Sequence, residues 1–312
     1  MKKTPLISFR LQDKLNYSFL SLIALLIIAL LIVMITLLFR EAYPAVEQFG
    51  WGFITDSYWD PAADEYGGLA FLFGTVVTAS IAVFLAAPVS ISIALFINEI
   101  LPAKIGKVLG LFVEMIAAIP SIVFGLWGLF FLAPWVNTTL TPFLKSTLGF
   151  LPLFQGPSFG IGILTASMIL GLMIIPTISS ICKEVFKTIP AHQKEAALAL
   201  GATRYEMLRL SVIGPSFSGI IGASALGLGR ALGETMAVAM VIGNSPQITS
   251  SLFAPAATMA SIIANEYAEA DSELHISALC FVAVLLFFVT FIINFMARTI
   301  VWKNERRLKS RG

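Results

Sequence analysis

Long runs of apolar residues alternate with short polar segments along most of this 312-residue chain. A helix needs about 20 predominantly apolar residues to cross the hydrocarbon core of a bilayer. Six runs are long enough, so the pattern predicts an all-α, polytopic membrane protein with six transmembrane helices. The predicted spans are 19–39, 69–97, 108–133, 159–181, 216–243 and 276–297.

The amino-acid composition indicates the same class of protein. Hydrophobic residues make up 58% of the chain and charged residues 12%, and the mean hydropathy is +0.90. A soluble domain has roughly 25% charged residues, so we expect an integral membrane protein. The two cysteines, Cys182 and Cys280, lack metal-ligand spacing and are expected to be free thiols.

Lysines and arginines are distributed unevenly between the predicted loops. Most of the 20 occur in the two terminal segments and in the connections after spans two and four, whereas the other connections contain only Arg40 and Lys145. Cytoplasmic loops are enriched in these residues, so both termini are predicted to be cytoplasmic. The predicted organisation is an N-terminal part, 1–68, with a cytoplasmic segment, the first span and an external loop, followed by a five-span core, 69–312, with a cytoplasmic loop at 182–215.

Two charged residues, Arg230 and Glu234, lie inside the predicted fifth span. An arginine at the centre of a membrane helix costs roughly 2.5–3.5 kcal/mol on insertion scales, so a compensating interaction is expected. The i, i+4 spacing would place both side chains on one helix face, where they could pair. Gly229 and Gly233 have the spacing that allows a second helix to approach closely. Together these features predict a buried subunit interface.

The residues alone leave the role of these charges open. Arg230 and Glu234 could form a structural ion pair that fixes helix register. Alternatively, Arg230 could bind a permeating oxyanion, because a guanidinium group offers five donors and stays charged, with Glu234 holding it when the anion is absent. Glu114, near the start of the predicted third span, is a further polar candidate with either a structural or a transport role.

The connection at 182–215 is the longest segment predicted to be cytoplasmic. Residues 195–200 favour a helix that Pro190 can begin and Gly201 can end. On physical grounds such a helix could simply lie against the membrane. Its sequence EAALALG, 195–201, resembles the EAA motif of permease subunits of ABC importers, although Pro215 stands one position later than the proline of the family pattern.

In that family the EAA motif forms a coupling helix that docks on a cytoplasmic ATPase. The resemblance therefore implies this contact for Glu195, Ala196, Ala197 and Gly201. Three further stretches are similar to the phosphate-specific permeases of the PstC type, and the resemblance covers the chain from about residue 69 to its end. They are AAIPSIVFGLWGLFFLAP at 117–134, GLGRALGETMAVAMVIGN at 227–244 and PAATMASIIANEYAEA at 255–270.

The resemblance implies the type I ABC importer permease (MetI-like) fold, a bacterial inner-membrane location and phosphate as the substrate. Arg230 and Glu234 match charged positions that the family uses in phosphate passage. The implied partners are a sister permease of the PstA type, a cytoplasmic ATPase dimer of the PstB type, an external phosphate-binding protein of the PstS type, and membrane lipid. Nucleic acid is not expected as a partner, because the basic termini adjoin spans.

No cofactor is expected on this chain, and the resemblance assigns ATP and Mg to the partner ATPase. The sequence lacks the G-x-x-x-x-G-K-[ST] phosphate loop, since its only Gly-Lys pair, Gly106 and Lys107, is followed by Val108. The chain is therefore predicted not to be an enzyme. Three other functions stay open: a permease for sulfate or molybdate, an ATP-independent secondary transporter or channel, and a structural membrane scaffold.

Overall fold

The computed structural model describes residues 9–309, and the side-chain surroundings of residues 13–303. Within this part of the chain, six helices are long and apolar enough to cross a membrane, as predicted. Residues 1–8 and 310–312, including Lys2, Lys3 and Arg311, lie outside the described residues, so their predicted cytoplasmic position is not addressed. Spans one to six are Asp13–Phe49, Leu69–Ile100, Ser121–Leu148, Ile163–Lys187, Arg204–Leu232 and Glu273–Lys303.

The described chain is almost entirely helical. Its helices are α1 (Phe9–Phe49), α2 (Gly52–Thr55), α3 (Leu69–Leu95), α4 (Ala103–Ile116), α5 (Ser121–Trp127), α6 (Ala133–Trp135), α7 (Thr141–Leu148), α8 (Ile163–Lys187), α9 (Ala191–Ala199), α10 (Arg204–Met207), α11 (Gly214–Leu232), α12 (Met236–Val241), α13 (Met259–Glu266) and α14 (Glu273–Lys309). Short π-helical segments extend α3 (Phe96–Ile100), join α5, α6 and α7 (Gly128–Leu132 and Val136–Leu140) and join α10 to α11 (Leu208–Ile213); Pro152–Phe154 is a 3₁₀ turn, and β1 (Trp59–Asp60) pairs antiparallel with β2 (Glu65–Tyr66).

The fourth span, α8, lies at the centre of the bundle and packs against α3 and α11. Small residues allow these helices to approach closely, which is how membrane helices gain packing energy without a hydrophobic driving force. A Cβ atom at Gly227 would lie 2.7 Å from two atoms of Ile178, and one at Gly219 would lie 2.6 Å from Val185. These two contacts show that α11 runs antiparallel to α8. Cys182, on α8, and Cys280 are both buried free thiols, as expected.

The first and last spans pack together at one edge of the bundle and end in an aromatic cluster. The Phe53 and Phe281 rings stack with centroids 4.3 Å apart, and the Trp59 and Tyr66 rings meet edge to face at 4.8 Å. Burial raises the pKa of the Tyr66 phenol. The prediction of a loop over residues 40–68 is wrong for its first part, because α1 continues to Phe49. Residues of the remaining part pack in this aromatic cluster.

The predicted third span, 108–133, is wrong as a single helix. Helix α4 ends at Ile116, and the chain turns at residues 117–120 before α5 begins at Ser121. Pro120 explains the break, since a residue before proline is disfavoured in the helical conformation. The sequence predicts an external segment over residues 135–158, but the third span continues to Leu148, so the first part of that prediction is wrong. The 14 residues of α4 are too few to cross a bilayer.

The connection 244–275 has an apolar centre at 251–264, and this pattern predicts an external segment with a short helix at the surface. A short helix is present, α13, but its first turn is buried, and Met259 N–H donates to Thr75 Oγ1 at 2.8 Å. The preceding loop covers the first turn of α8, where Ile163 and Leu164 N–H donate to Ala254 O and Leu252 O. These carbonyls satisfy amide groups that have no partner within the helix.

Candidate functional site

Arg230 lies in the last turn of α11, two residues before the helix ends at Leu232, rather than in the middle of a continuous fifth span. Its depth follows from the helix packing. Gly227 lies against Ile178, and Arg230 is about 4.5 Å further along α11 in the antiparallel direction. The arginine is therefore level with residues 174–175, half-way along α8.

The Arg230 side chain is exposed on the isolated chain, and no ion pair or hydrogen bond joins it to any residue that the structure describes. Its surroundings on this surface are apolar. Leu226, one turn earlier, is 58% exposed, and Met236, just after the helix, is 54% exposed. Arg230 thus lies half-way along the bundle on an exposed surface, without an ion pair or hydrogen bond to any residue that the structure describes.

The predicted pairing of Arg230 with Glu234 on one helix face is wrong in this structure. The helix ends before Glu234, which lies in the break between α11 and α12. There its Oε1 accepts a long hydrogen bond from Ala237 N–H at 3.5 Å, in the first turn of α12. The end of α11 at Gly233 separates Arg230 from Glu234. A Cβ atom at Gly233 would meet only Gly229 O, at 3.8 Å. Within this chain, the closest contacts of α11 with α8 are at Gly219 and Gly227, and the approach of a second subunit at Gly229 and Gly233 stays a prediction.

The EAA segment forms a separate helix, α9, that projects from the bundle. The structure narrows the predicted loop 182–215 to residues 188–203, because α8 continues to Lys187 and α10 begins at Arg204. Helix α9 has no buried residue, and Leu200 at its end is 89% exposed. Of the residues predicted to contact an ATPase, Glu195, Ala196 and Gly201 are exposed, and Ala197 is partly buried.

Two consecutive caps fix the turn after α9. Gly201 has φ +87°, Gly201 N–H donates to Leu198 O, and Ala202 N–H donates to Ala197 O, which is the Schellman arrangement of a helix C-terminus. Thr203 then begins α10 with a capping box, in which its hydroxyl and the Glu206 carboxylate each bond the other residue's backbone N–H. The turn is therefore stabilised by hydrogen bonds between residues that are close in sequence.

An ion pair attaches α9 to the bundle. Lys194 Nζ lies 2.6 Å from Glu99 Oε1, and the Glu99 side chain is 8% exposed. Glu99 belongs to the π-helical end of the second span. No local sequence signal reveals this pair, because the two residues are 95 positions apart.

Glu114 lies on α4 and not in a membrane span. Its carboxylate is paired with the ammonium group of Lys183 on α8. Gly110, one turn earlier, faces the same lysine, and Gly106 packs on Ile97 O. The contacts of Glu114 therefore hold α4 against the fourth span, far along the chain from Arg230. They favour its structural role over a role in transport.

The comparisons with known proteins agree with this architecture. The family model described as "Binding-protein-dependent transport system inner membrane component" matches residues 86–303. The phosphate transport system permease protein PstC of Mesorhizobium japonicum is 43% identical over 303 residues, which cover 96% of this chain and 93% of that protein. The PstC protein of Haemophilus influenzae is 41% identical over 92% of both chains.

A solved structure of the MetNI methionine ABC transporter, in an inward-facing conformation, matches 76% of this chain and 96% of its own. The TM-score is 0.55 at 18% sequence identity, so this similarity concerns the fold alone. It confirms the predicted type I importer permease (MetI-like) fold. The boundary predicted between residues 68 and 69 stays a prediction. The chain belongs to the family of binding-protein-dependent transport system inner membrane components, in the branch of permease proteins named PstC.

Proposed function

We propose that the chain is one transmembrane half of an ATP-driven importer for inorganic phosphate in the bacterial inner membrane. The observation on which this depends is Arg230, an exposed guanidinium group level with the middle of α8. The PstC names of relatives that are 41–43% identical supply the substrate. The chain itself supplies a permanently charged, multi-donor group suited to a tetrahedral oxyanion.

The position of Arg230 requires a second subunit. An unpaired arginine in contact with acyl chains is unfavourable, and such residues face a bundle interior or a water-filled cavity. On the isolated chain Arg230 is exposed rather than enclosed in the bundle interior, and Leu226, one turn earlier, is exposed too. A sister permease of the PstA type, packed over this surface, would enclose the guanidinium group in a route between the two halves.

Glu234 contributes to this route as the nearby negative charge. In the present structure its carboxylate is at the first turn of α12, where it is separated from Arg230 by the break at Gly233. We propose that it approaches Arg230 when phosphate leaves, and that phosphate displaces it when bound. A permeant must also be released, and a carboxylate that competes for the guanidinium group keeps the site from holding phosphate too tightly.

Helix α9 would be the contact with the ATPase. Its exposed Glu195 and Ala196 and its glycine-defined end match the EAA pattern at 195–201. The chain has no phosphate loop of its own, so ATP and Mg would be bound by a cytoplasmic ATPase dimer of the PstB type. ATP binding there would move α9, and the Glu99–Lys194 pair would pass this movement to the second span.

The distribution of charged residues supports one orientation of the chain in the membrane. The end of the bundle with α9 contains Lys183, Lys187 and Lys194, whereas the opposite end contains the acidic segments 40–68 and 258–273. The basic end would be cytoplasmic, with both termini on that side. The acidic end would face an external phosphate-binding protein of the PstS type, and alternation between the two faces would replace an open pore.

The test is ATP hydrolysis by the assembled complex in proteoliposomes, with and without the external binding protein, in the presence of phosphate, sulfate or molybdate. We expect stimulation only when both phosphate and the binding protein are present. Stimulation by sulfate or molybdate instead of phosphate would show that one of these anions is the transported substrate. Phosphate uptake into vesicles that lack the ATPase would refute the ATP-driven mechanism and support a secondary transporter.

A further inference from the structure

A cavity of about 570 Å³ lies beside α4, at the end of the bundle that also bears α9. It is separate from Arg230, and its volume falls within the roughly 300–1,000 Å³ of small-ligand pockets. One part of its wall is apolar and the other is charged. The lining residues are Ile97, Asn98, Leu101, Ala103, Gly106, Lys107, Leu111, Glu114, Lys183 and Lys187.

Positive charge exceeds negative charge in this wall, because three lysines face one carboxylate. The Lys183 side chain is 12% exposed and is paired with Glu114. Lys187 is exposed and pairs with Glu184, which does not line the cavity. Lys107 is exposed and has no ion pair or hydrogen bond with any residue between 13 and 303. The cavity therefore presents ammonium donors that the described chain leaves partly unused.

The outer surface of α4 is apolar along its whole length. Gly106 and Gly110 hold the helix against the bundle, so its larger side chains point away. This arrangement, an apolar face beside a basic polar side, is typical of helices that lie in the membrane interface. The exposed apolar residues are Ile105, Val108, Leu109, Leu111, Phe112, Met115 and Ile116.

We propose that this cavity binds the phosphodiester headgroup of an anionic phospholipid, whose acyl chains lie along the apolar face of α4. Lys107 and Lys187 would contact the phosphate oxygens, and Glu114 would limit affinity by occupying Lys183. Basic pockets between membrane helices bind anionic headgroups in this way. Free phosphate shares the chemistry of the headgroup, but the continuous apolar surface beside the lysines favours a lipid. The inference does not depend on the transported substrate.

The experiment measures phosphatidylglycerol bound to the assembled complex by native mass spectrometry, in nanodiscs of phosphatidylcholine that contain increasing amounts of phosphatidylglycerol. We expect the K107Q/K187Q variant to bind phosphatidylglycerol roughly 30-fold more weakly, because each lysine near an anionic lipid contributes a factor of about five. The matched control is K104Q, which removes a lysine of the same helix that does not line the cavity. It should retain wild-type binding.

A second variant gives a change of opposite sign. E114Q removes the one carboxylate in the wall and frees Lys183, so phosphatidylglycerol should bind more tightly, which general destabilisation would not produce. Binding of radiolabelled inorganic phosphate is measured in parallel and should be the same in wild type and K107Q/K187Q. Unchanged phosphatidylglycerol binding in K107Q/K187Q would overturn the proposal. Loss of inorganic phosphate binding in that variant, with lipid binding intact, would assign the cavity to free phosphate instead.

Discussion

At the scale of single residues, the ion pair between Lys194 and Glu99 joins the segment that would meet the ATPase to the membrane bundle. The Glu99 side chain is 8% exposed and that of Lys194 21%, so both charges are largely removed from water. Removal of one partner from such a pair leaves the other charge uncompensated, and this is more costly than the pair itself is stabilising.

We predict that E99Q lowers the stimulation of ATP hydrolysis by phosphate several-fold, because α9 is no longer fixed to the second span. The measurement compares stimulated with unstimulated hydrolysis in the complete complex. The matched control is E184Q, which breaks the exposed pair with Lys187 and should change little. The swapped variant E99K/K194E should recover part of the stimulation. Wild-type stimulation in E99Q would show that the Glu99–Lys194 pair is not needed for phosphate to stimulate ATP hydrolysis.

Gly201 is a second residue with a direct conformational role. Its φ of +87° is unfavourable for other residues, and a Cβ atom would meet nothing within 4 Å, so backbone strain is the expected effect of substitution. The cost of a left-handed conformation is roughly 1–2 kcal/mol for most residues, and asparagine tolerates it better.

We predict that G201V weakens the association of the ATPase with the permease and reduces transport, whereas G201N retains most of both. The valine would favour a different path after α9, so the turn into α10 would change. Copurified ATPase and phosphate uptake are measured for each variant. Equal losses in G201V and G201N would show that the left-handed conformation is not what matters at this position.

At the scale of helices, the contact between α8 and α11 depends on Gly227. A Cβ atom there would lie 2.7 Å from both Cγ1 and Cδ1 of Ile178, so either this buried side chain or one of the helices must shift. Gly222, on the same helix, has nothing within 4 Å of its Cβ position and provides a matched control.

We predict that G227A lowers the stability of the permease by about 1–3 kcal/mol, the usual cost of overpacking. G222A should leave stability unchanged or raise it by up to about 1 kcal/mol, because alanine reduces the freedom of the unfolded chain. Thermal unfolding in detergent measures both. A Tm for G227A equal to or above that of G222A would contradict the packing described for α8 and α11.

The helices also show which features a sequence can predict. Hydropathy identified six spans, because the length of an apolar run is set by the bilayer. Hydropathy wrongly included α4 in a membrane span, because the apolar residues cover one exposed side of this short helix. It also does not detect the helix break at Pro120. It also joined α11 to α12 across Gly233, because glycine is frequent inside membrane helices and does not by itself mark a helix end.

The candidate site was predictable only in part for a related reason. Arg230 and the EAA segment are conspicuous because each departs from its surroundings in one stretch of sequence. The ion pairs Glu99–Lys194 and Glu114–Lys183 join residues 95 and 69 positions apart, and only the folded chain brings them together. The separation of Arg230 from Glu234 depends on a helix end that spacing alone cannot reveal.

At the scale of the whole molecule, the isolated chain is an incomplete structure. Arg230 is half-way along the bundle and exposed, α9 projects without a buried residue, and α4 presents an uncovered apolar face. A sister permease would cover the surface at Arg230, an ATPase would cover α9, and lipid would cover the apolar face of α4. This incompleteness is what a subunit of a larger membrane complex requires.

The most direct measurement is uptake of labelled phosphate by proteoliposomes that contain the complete complex with R230Q, driven by ATP and the external binding protein. The control R40Q removes an exposed arginine nine residues before the end of α1 and should transport normally. We predict that R230Q assembles with its partners, as copurification would show, and that its phosphate uptake falls to background. Normal uptake by assembled R230Q would contradict the proposed passage of phosphate at Arg230.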